Sequence, residues 1–167
     1  MFKLFKKKEV FEPLNKDNTE ITAVGEGKLI PIESVSDPMF AEKMLGDSIA
    51  FEFSGREVTI FAPVNGTLTA IFPTGHAFGV TTDDGIEVLV HIGIDTVNSK
   101  GQGFKILDKK QGDHVEAGDP IVTVNVNALK EKYDMSTMLI ITNANEKNVT
   151  LIREGEVTRE SIVGKIE

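Results

Sequence analysis

The 167-residue chain contains no cysteine, no tryptophan and a single tyrosine, and it carries 18 basic side chains against 26 acidic ones. Without cysteine there can be no disulfide framework, no thiolate zinc site and no thiol nucleophile. A formal net charge of −8 leaves no basic surplus to neutralise phosphates, which argues against non-specific nucleic-acid binding. Long apolar runs are also missing. Stretches such as Met138-Leu139-Ile140-Ile141 fall far short of the ~18 residues or more that a membrane-spanning helix needs. The N-terminus has neither the apolar core nor the small-residue cleavage site of a signal peptide. The expected location is therefore the cytoplasm, and the expected organisation is one compact domain behind a short tail.

The charge is uneven. Residues 1–18 hold five lysines against three acids, a net +2 that leaves −10 for the remainder. On a helical projection Met1, Phe2, Leu4, Phe5 and Phe11 gather over about half the circumference, and Pro13 would end such a helix. Residues 1–19 are thus expected to be a flexible, basic, amphipathic tail, and residues 1–12 could order on an anionic membrane surface or in a partner groove.

From residue 20 onward the chain is built of short apolar segments punctuated by most of its 15 glycines and 6 prolines. Strands are expected at 21–24, 49–53, 58–62, 66–72, 78–81, 86–92, 103–107, 120–124, 138–142 and 149–152. That density of strands and turns indicates an all-β sandwich or barrel. Two stretches favour helix: 37–44, with Asp37 as N-cap and Pro38 at the first helical position, and 127–133, rich in helix formers. Ala23-Val-Gly-Glu-Gly-Lys-Leu-Ile and Ala62-Pro-Val-Asn-Gly-Thr-Leu-Thr place glycine and leucine at matching offsets, which suggests a duplicated β-unit. A third segment, Gly112–Val122, has the form of a tight turn feeding a buried strand, a pattern also found in biotinyl and lipoyl carrier domains.

The segment from Thr74 to Asp95 is the most informative. Asp84-Gly85 between two alternating runs signals a hairpin. If those two residues form the turn, His91 faces Phe78 and lies diagonal to His76; if Asp83-Asp84 form it, the two histidines face each other. Either way the imidazoles share one face, whereas a three-residue loop would send one of them to the other side. Two such histidines can ligate a metal, serve as nucleophile and helper, or be structural. Zinc catalysis requires three protein ligands, and His114 sits in the Gly112–Gly118 turn as a solvated loop residue. A neutral imidazole in partly apolar surroundings keeps a ring nitrogen free to attack phosphorus, and a second imidazole can donate to the phosphoryl oxygens in flight. Thr74, two residues before His76, can hold that ring with its hydroxyl.

These blocks, His91-Ile-Gly-Ile-Asp-Thr-Val97, Thr74-Gly-His76-Ala-Phe78, Ala62-Pro-Val-Asn-Gly66, Phe40-Ala-Glu-Lys-Met-Leu-Gly-Asp47 and Gly101-Gln-Gly-Phe104, in order over nearly all of residues 20–167, closely resemble the glucose-class enzyme IIA component of the bacterial phosphoenolpyruvate:sugar phosphotransferase system. The resemblance implies an antiparallel β-sandwich of duplicated hybrid (barrel-sandwich) type and a phosphocarrier role. His91 would accept a phosphoryl group on Nε2 from the histidine-containing phosphocarrier protein and pass it to a cysteine on the IIB domain of a sugar permease. His76 would assist, oriented by Thr74. Met39, Phe40, Leu45, Phe72, Phe78 and Val97 match an apolar docking surface, and Asp37 and Asp95 match acidic positions that engage an arginine of the donor. No cofactor is required, although the resemblance allows a zinc ion held by His76 and His91 with a ligand from a partner. In some bacteria the unphosphorylated form of such proteins binds and inhibits other transporters or kinases.

The chain departs from the family pattern at Val24-Gly25-Glu26, at Ile92 and at Asn98-Ser99, positions that bear on partner preference more than on chemistry. A swinging-arm carrier would need an exposed lysine between methionines and a zinc hydrolase a His-x-His pair; neither occurs. No Walker or kinase-type glycine loop is present either.

Overall fold

A computed structural model describes residues 10–167. The amphipathic stretch at the start of the chain therefore lies largely outside the described residues. In chain order the elements are β1 (Glu20–Thr22), β2 (Gly27–Ile30), α1 (Pro38–Ala41), β3 (Asp47–Phe53), β4 (Glu57–Phe61), β5 (Gly66–Ile71), β6 (Ala77–Thr81) and β7 (Glu87–Ile92). They continue with β8 (Phe104–Ile106), β9 (His114–Val115), β10 (Pro120–Asn125), α2 (Val126–Leu129), β11 (Thr137–Asn143), β12 (Val149–Leu151), β13 (Gly155–Val157) and β14 (Ile162–Ile166). Single 3-10 turns lie at Ile32–Ser34 and Thr96–Ser99. Every strand pairing is antiparallel. The expected all-β sandwich with two short helices is what the chain forms, and among the described residues no helix is long and apolar enough to cross a membrane.

An eight-stranded sheet in the order β13-β2-β3-β11-β7-β6-β5-β9 is backed by two three-stranded sheets, β1-β14-β12 and β4-β10-β8. The large sheet repeats itself about its centre. β2 and β5 both begin with glycine, at Gly27 and Gly66, and a Cβ at either would be driven into a backbone oxygen of the neighbouring strand, that of Glu52 or of Thr81. Hydrogen bonds repeat likewise: Thr22 N–H donates to Pro63 O and Phe61 N–H to Val24 O, both at 2.8 Å, while Ala23 N–H donates to Ser161 O and Ala62 N–H to Asp119 O, both at 2.9 Å. The matching offsets in the sequence are thus a structural duplication.

The strand β11, central to the large sheet, explains the apolar run at 138–141. Leu139 and Ile141 point into the main core with Phe51, Phe78 and Val90. Met138 and Ile140 point the other way, into a smaller cluster with Ile32, Val35, Phe40 and Ile94. A strand buried on both faces needs apolar residues at every position. The second cluster is roofed by α1 and the Ile32–Ser34 turn. Asp37 starts α1 by accepting the Met39 N–H at 2.9 Å, as its sequence signal implied.

The boundary expected at residue 19 shifts toward the N-terminus. The Phe11 ring packs edge-on against Phe61 at 4.9 Å, and the Arg159 guanidinium lies over both rings at 5.1 and 5.3 Å while donating to Glu12 O at 2.7 Å. From Phe11 the segment is laid against the body, because a cation over two aromatic faces and an extended backbone with a donor to accept from give it local partners. His114 is not in a loop: it begins β9, pairs with Thr67 and keeps an exposed ring 3.6 Å from the Glu116 carboxylate.

Candidate functional site

His91 sits on β7, where Val88, Val90 and Ile92 face the main core. Alternation therefore turns Leu89 and His91 to the opposite face, and Met138 of β11 and Ala77 of β6 flank His91 across the ladder. The Phe40 ring of α1 lies 4.9 Å from the imidazole.

The hairpin that delivers His76 differs from both expected registers. Ala77 pairs with His91 and Phe78 with Val90, and the loop holds three residues, Asp83 to Gly85. Thr82 closes it, donating its N–H to Ile86 O at 2.9 Å and accepting the Ile86 N–H on its hydroxyl at 3.1 Å; Gly85 takes φ of +82°, the left-handed residue such a loop requires. That register was expected to separate the histidines. It does not, because His76 lies just before β6 begins, beyond the reach of strand alternation. The turn Phe72–Gly75, with Gly75 at φ of +79° and its N–H donating to Phe72 O at 2.8 Å, redirects the chain, and Ala77 opposite His91 presents only a methyl. The two rings meet edge to face, 5.3 Å between centroids at 80°.

The Nδ1 atoms have unlike partners. His91 Nδ1 lies 2.9 Å from the Gly93 carbonyl oxygen. A carbonyl only accepts, so Nδ1 carries the proton and Nε2 keeps its lone pair. His76 Nδ1 lies 2.5 Å from the Thr74 hydroxyl, which can donate, leaving His76 free to carry its proton on Nε2 and to act as a donor. Burial lowers the pKa of both rings. At His91 the charge of His76 lowers it further, against opposing effects of the Gly93 hydrogen bond and the Asp37 and Asp95 carboxylates.

A linkage consequence can be measured. Above the usual histidine value near 6.5 both states are neutral and the rings contribute nothing. As pH falls through that value the unfolded chain takes up protons first, so stability declines until the lower folded-state pKa values are reached. Denaturant unfolding near pH 7.5 and 5.5 should show this loss, and a His76→Gln/His91→Gln variant should lack most of it.

Of the expected docking residues, Met39, Leu45, Phe72 and Val97 are exposed, at between 39% and 50%. Phe72 also packs on His76 at 5.1 Å. Phe78 is a correction. It is completely buried in the main core, since Ala77 rather than Phe78 shares the face of His91. Phe40 is buried too, at 4%, and lines the imidazole instead of presenting a docking face. Asp95 is exposed and holds φ of +60° at the start of the Thr96–Ser99 turn. Gly93 appears in the sequence only as part of the His91–Val97 block, and Ser136 and Asp134 not at all, since a backbone acceptor leaves no side-chain signature. Gly93 is held at φ of +76°, and a Cβ there would lie 2.5 Å from Thr96 Cγ2 and 3.0 Å from Met135 Sδ.

Among the described residues no group of three or more His, Asp or Glu is disposed to hold a metal. His76 and His91 supply two imidazoles, fewer than the three protein ligands of catalytic zinc, so an ion there would need donors from a second molecule.

The chain is similar to known proteins. Residues 19–147 match the family model described as phosphoenolpyruvate-dependent sugar phosphotransferase system, EIIA 1. A glucose-specific EIICBA component of this system from Streptococcus pneumoniae is 41% identical over 91% of the chain, and one from Staphylococcus carnosus is 38% identical over 89%. The chain spans only 21% and 23% of those longer proteins. A glucose-specific EIIA component from Mycoplasma capricolum is 37% identical, the match covering 87% of this chain and 94% of that protein. The solved structure of glucose permease IIA from the same organism superposes with a TM-score of 0.81, covering 89% of this chain and 96% of that one at 37% identity.

Proposed function

The chain belongs to the EIIA 1 family of the phosphoenolpyruvate-dependent sugar phosphotransferase system, and from that membership we propose that it is a glucose-class phosphocarrier using His91 as its covalent nucleophile. The supporting observation is the difference between the two Nδ1 partners. A carbonyl on His91 Nδ1 leaves Nε2 a base, and a hydroxyl on His76 Nδ1 lets its Nε2–H act as donor.

The His91 Nε2 lone pair attacks phosphorus on the phosphohistidine of the histidine-containing carrier protein, and the donor's N–P bond breaks with its electron pair returning to the donor imidazole. In the second half the thiolate of the permease IIB domain attacks the same phosphorus and the His91 N–P bond breaks. Fusion of the IIA unit to C and B units in the two longer relatives supports a permease as the acceptor. His76 contributes by donating to the equatorial oxygens of the phosphoryl group, over which its negative charge is spread during transfer. Met39, Leu45, Phe72 and Val97 form the dry rim on which partners seat, with Asp37 and Asp95 beside it for a cationic side chain.

The test is mass analysis under alkaline conditions after incubation with phosphoenolpyruvate, enzyme I and the histidine-containing carrier protein. One phosphoryl group mapped to His91 is the expected result; none, where a known family member is labelled, would overturn the proposal. Thr74→Val removes the hydroxyl from His76 while keeping the shape. One hydrogen bond of about 1 kcal/mol translates to roughly fivefold slower onward transfer to the IIB domain, measured by rapid quench, with the final labelling of His91 unchanged.

A further inference from the structure

We propose that Asp134 is a positioning residue for His91, acting through the peptide bond that joins Gly93 to Ile94; this rests on the phosphocarrier function above. That peptide is held at both polar ends. Its carbonyl, on Gly93, accepts the His91 Nδ1 proton at 2.9 Å. Its N–H, on Ile94, donates to the Asp134 backbone carbonyl at 2.7 Å, and the Gly93 N–H donates to Ser136 O at 3.1 Å. The plane that selects the His91 tautomer is therefore clamped to residues 134–136. Hydrogen bonds in series polarise one another, so the Asp134 carbonyl also makes Gly93 O a stronger acceptor, and a stronger acceptor at Nδ1–H raises the basicity of the other ring nitrogen.

The carboxylate fixes the clamp. One oxygen accepts from the Ser136 N–H at 2.9 Å and the Ser136 hydroxyl at 2.7 Å; the other accepts from the Ser36 hydroxyl at 3.0 Å and the Ser36 N–H at 3.4 Å. Burial alone would raise the Asp134 pKa, but these hydrogen bonds outweigh it and hold the carboxyl below its usual range. Ser36 precedes Asp37, the cap of the helix whose Phe40 packs on His91. One carboxylate thus joins two segments 98 residues apart in the chain, the carbonyl at one edge of the imidazole and the aromatic ring beside it.

Asp134→Leu removes all four acceptor contacts, and Asp134→Asn retains an amide oxygen for Ser136. The readouts are imidazole ¹⁵N NMR of the full chain at about pH 7.5, where histidines are mainly neutral, and the rate of phosphoryl uptake from the phosphorylated carrier protein. The Leu variant should show mixed His91 tautomers and uptake about tenfold slower, the scale seen when a ligand's supporting hydrogen bond is lost. The Asn variant should keep the Nδ1–H tautomer and stay within about threefold of the parent, and His76 should be unchanged in both. Ser161→Ala removes the acceptor of the Thr158 N–H at the far end of the sheet and serves as a stability control that should leave both readouts alone. A folded Leu variant retaining the tautomer and an uptake rate within about twofold would overturn the proposal, as would an equal change in Ser161→Ala. Should the Leu variant fail to fold, Ser36→Ala with Ser136→Ala is read by the same criteria. If the parent protein takes up no phosphoryl group the phosphocarrier function falls, while the tautomer comparison still decides the role of Asp134.

Discussion

His91→Ala is expected to remain unphosphorylated under conditions that label the parent protein, with uptake slower by at least ~10⁴-fold, the order lost when a covalent nucleophile is deleted. His76, 5.3 Å away between ring centroids, should not substitute. Its Nδ1 faces a hydroxyl rather than a carbonyl, so no partner fixes a bare nitrogen toward the donor. His76→Ala should give the complementary result, with His91 still labelled but onward transfer slowed by about 10²–10³-fold, as when one donor to a developing oxyanion is removed. Quench-flow with labelled phosphoenolpyruvate separates the two halves of the reaction. An unlabelled His76→Ala beside a labelled His91→Ala would reverse the assigned roles.

Phe78→Ala should be the most damaging of the docking-surface substitutions, and for a reason unrelated to docking. Its ring is wholly buried beneath the histidine hairpin with Val90 and Leu139, so truncation removes transfer energy and leaves a cavity, together about 3–5 kcal/mol. Phe72, 45% exposed, should cost far less stability as Phe72→Ala, on the order of 0.5 kcal/mol, while weakening engagement with the carrier protein. Urea unfolding of the two variants beside a titration with the carrier protein decides the matter. Equal stability losses would mean that the hairpin register places these side chains differently.

The strands legible in the sequence were those whose alternation or apolar content exceeds their turns, β3, β7 and β11 among them. β2, β13 and β14 were not. Each contains a glycine, and in β2 and β14 it is there because the neighbouring chain approaches closely: Gly27 against the Glu52 backbone, Gly164 with a Cβ that would lie 2.8 Å from Leu151 Cδ2. Residues chosen for absence of bulk look like turn residues on the page. The hairpin failed for another reason. Asp84-Gly85 and Asp83-Asp84 each read as a complete two-residue turn, but the Thr82 hydroxyl accepts a backbone proton and so closes a loop one residue longer. The pairing of His76 with His91 nevertheless emerged, since the bend at Gly75 offsets the shift. Asp134 was invisible because it acts through a peptide group and its partners lie in distant segments.

The place of β11 in the sheet also governs the order in which the protein can be completed during synthesis. β3 and β7 do not pair with each other; each pairs with β11, which enters the chain only at residues 137–143. At ~5–20 residues per second, the nascent chain carries His91 for roughly 3–10 s before the strand beside it has been made. During that interval two apolar strand edges lie open, each a template for mispairing with another chain. The segment that closes them immediately follows residues 134–136, whose carbonyls hold the Gly93–Ile94 peptide beside His91, so these contacts form no earlier than the synthesis of the strand that closes the sheet.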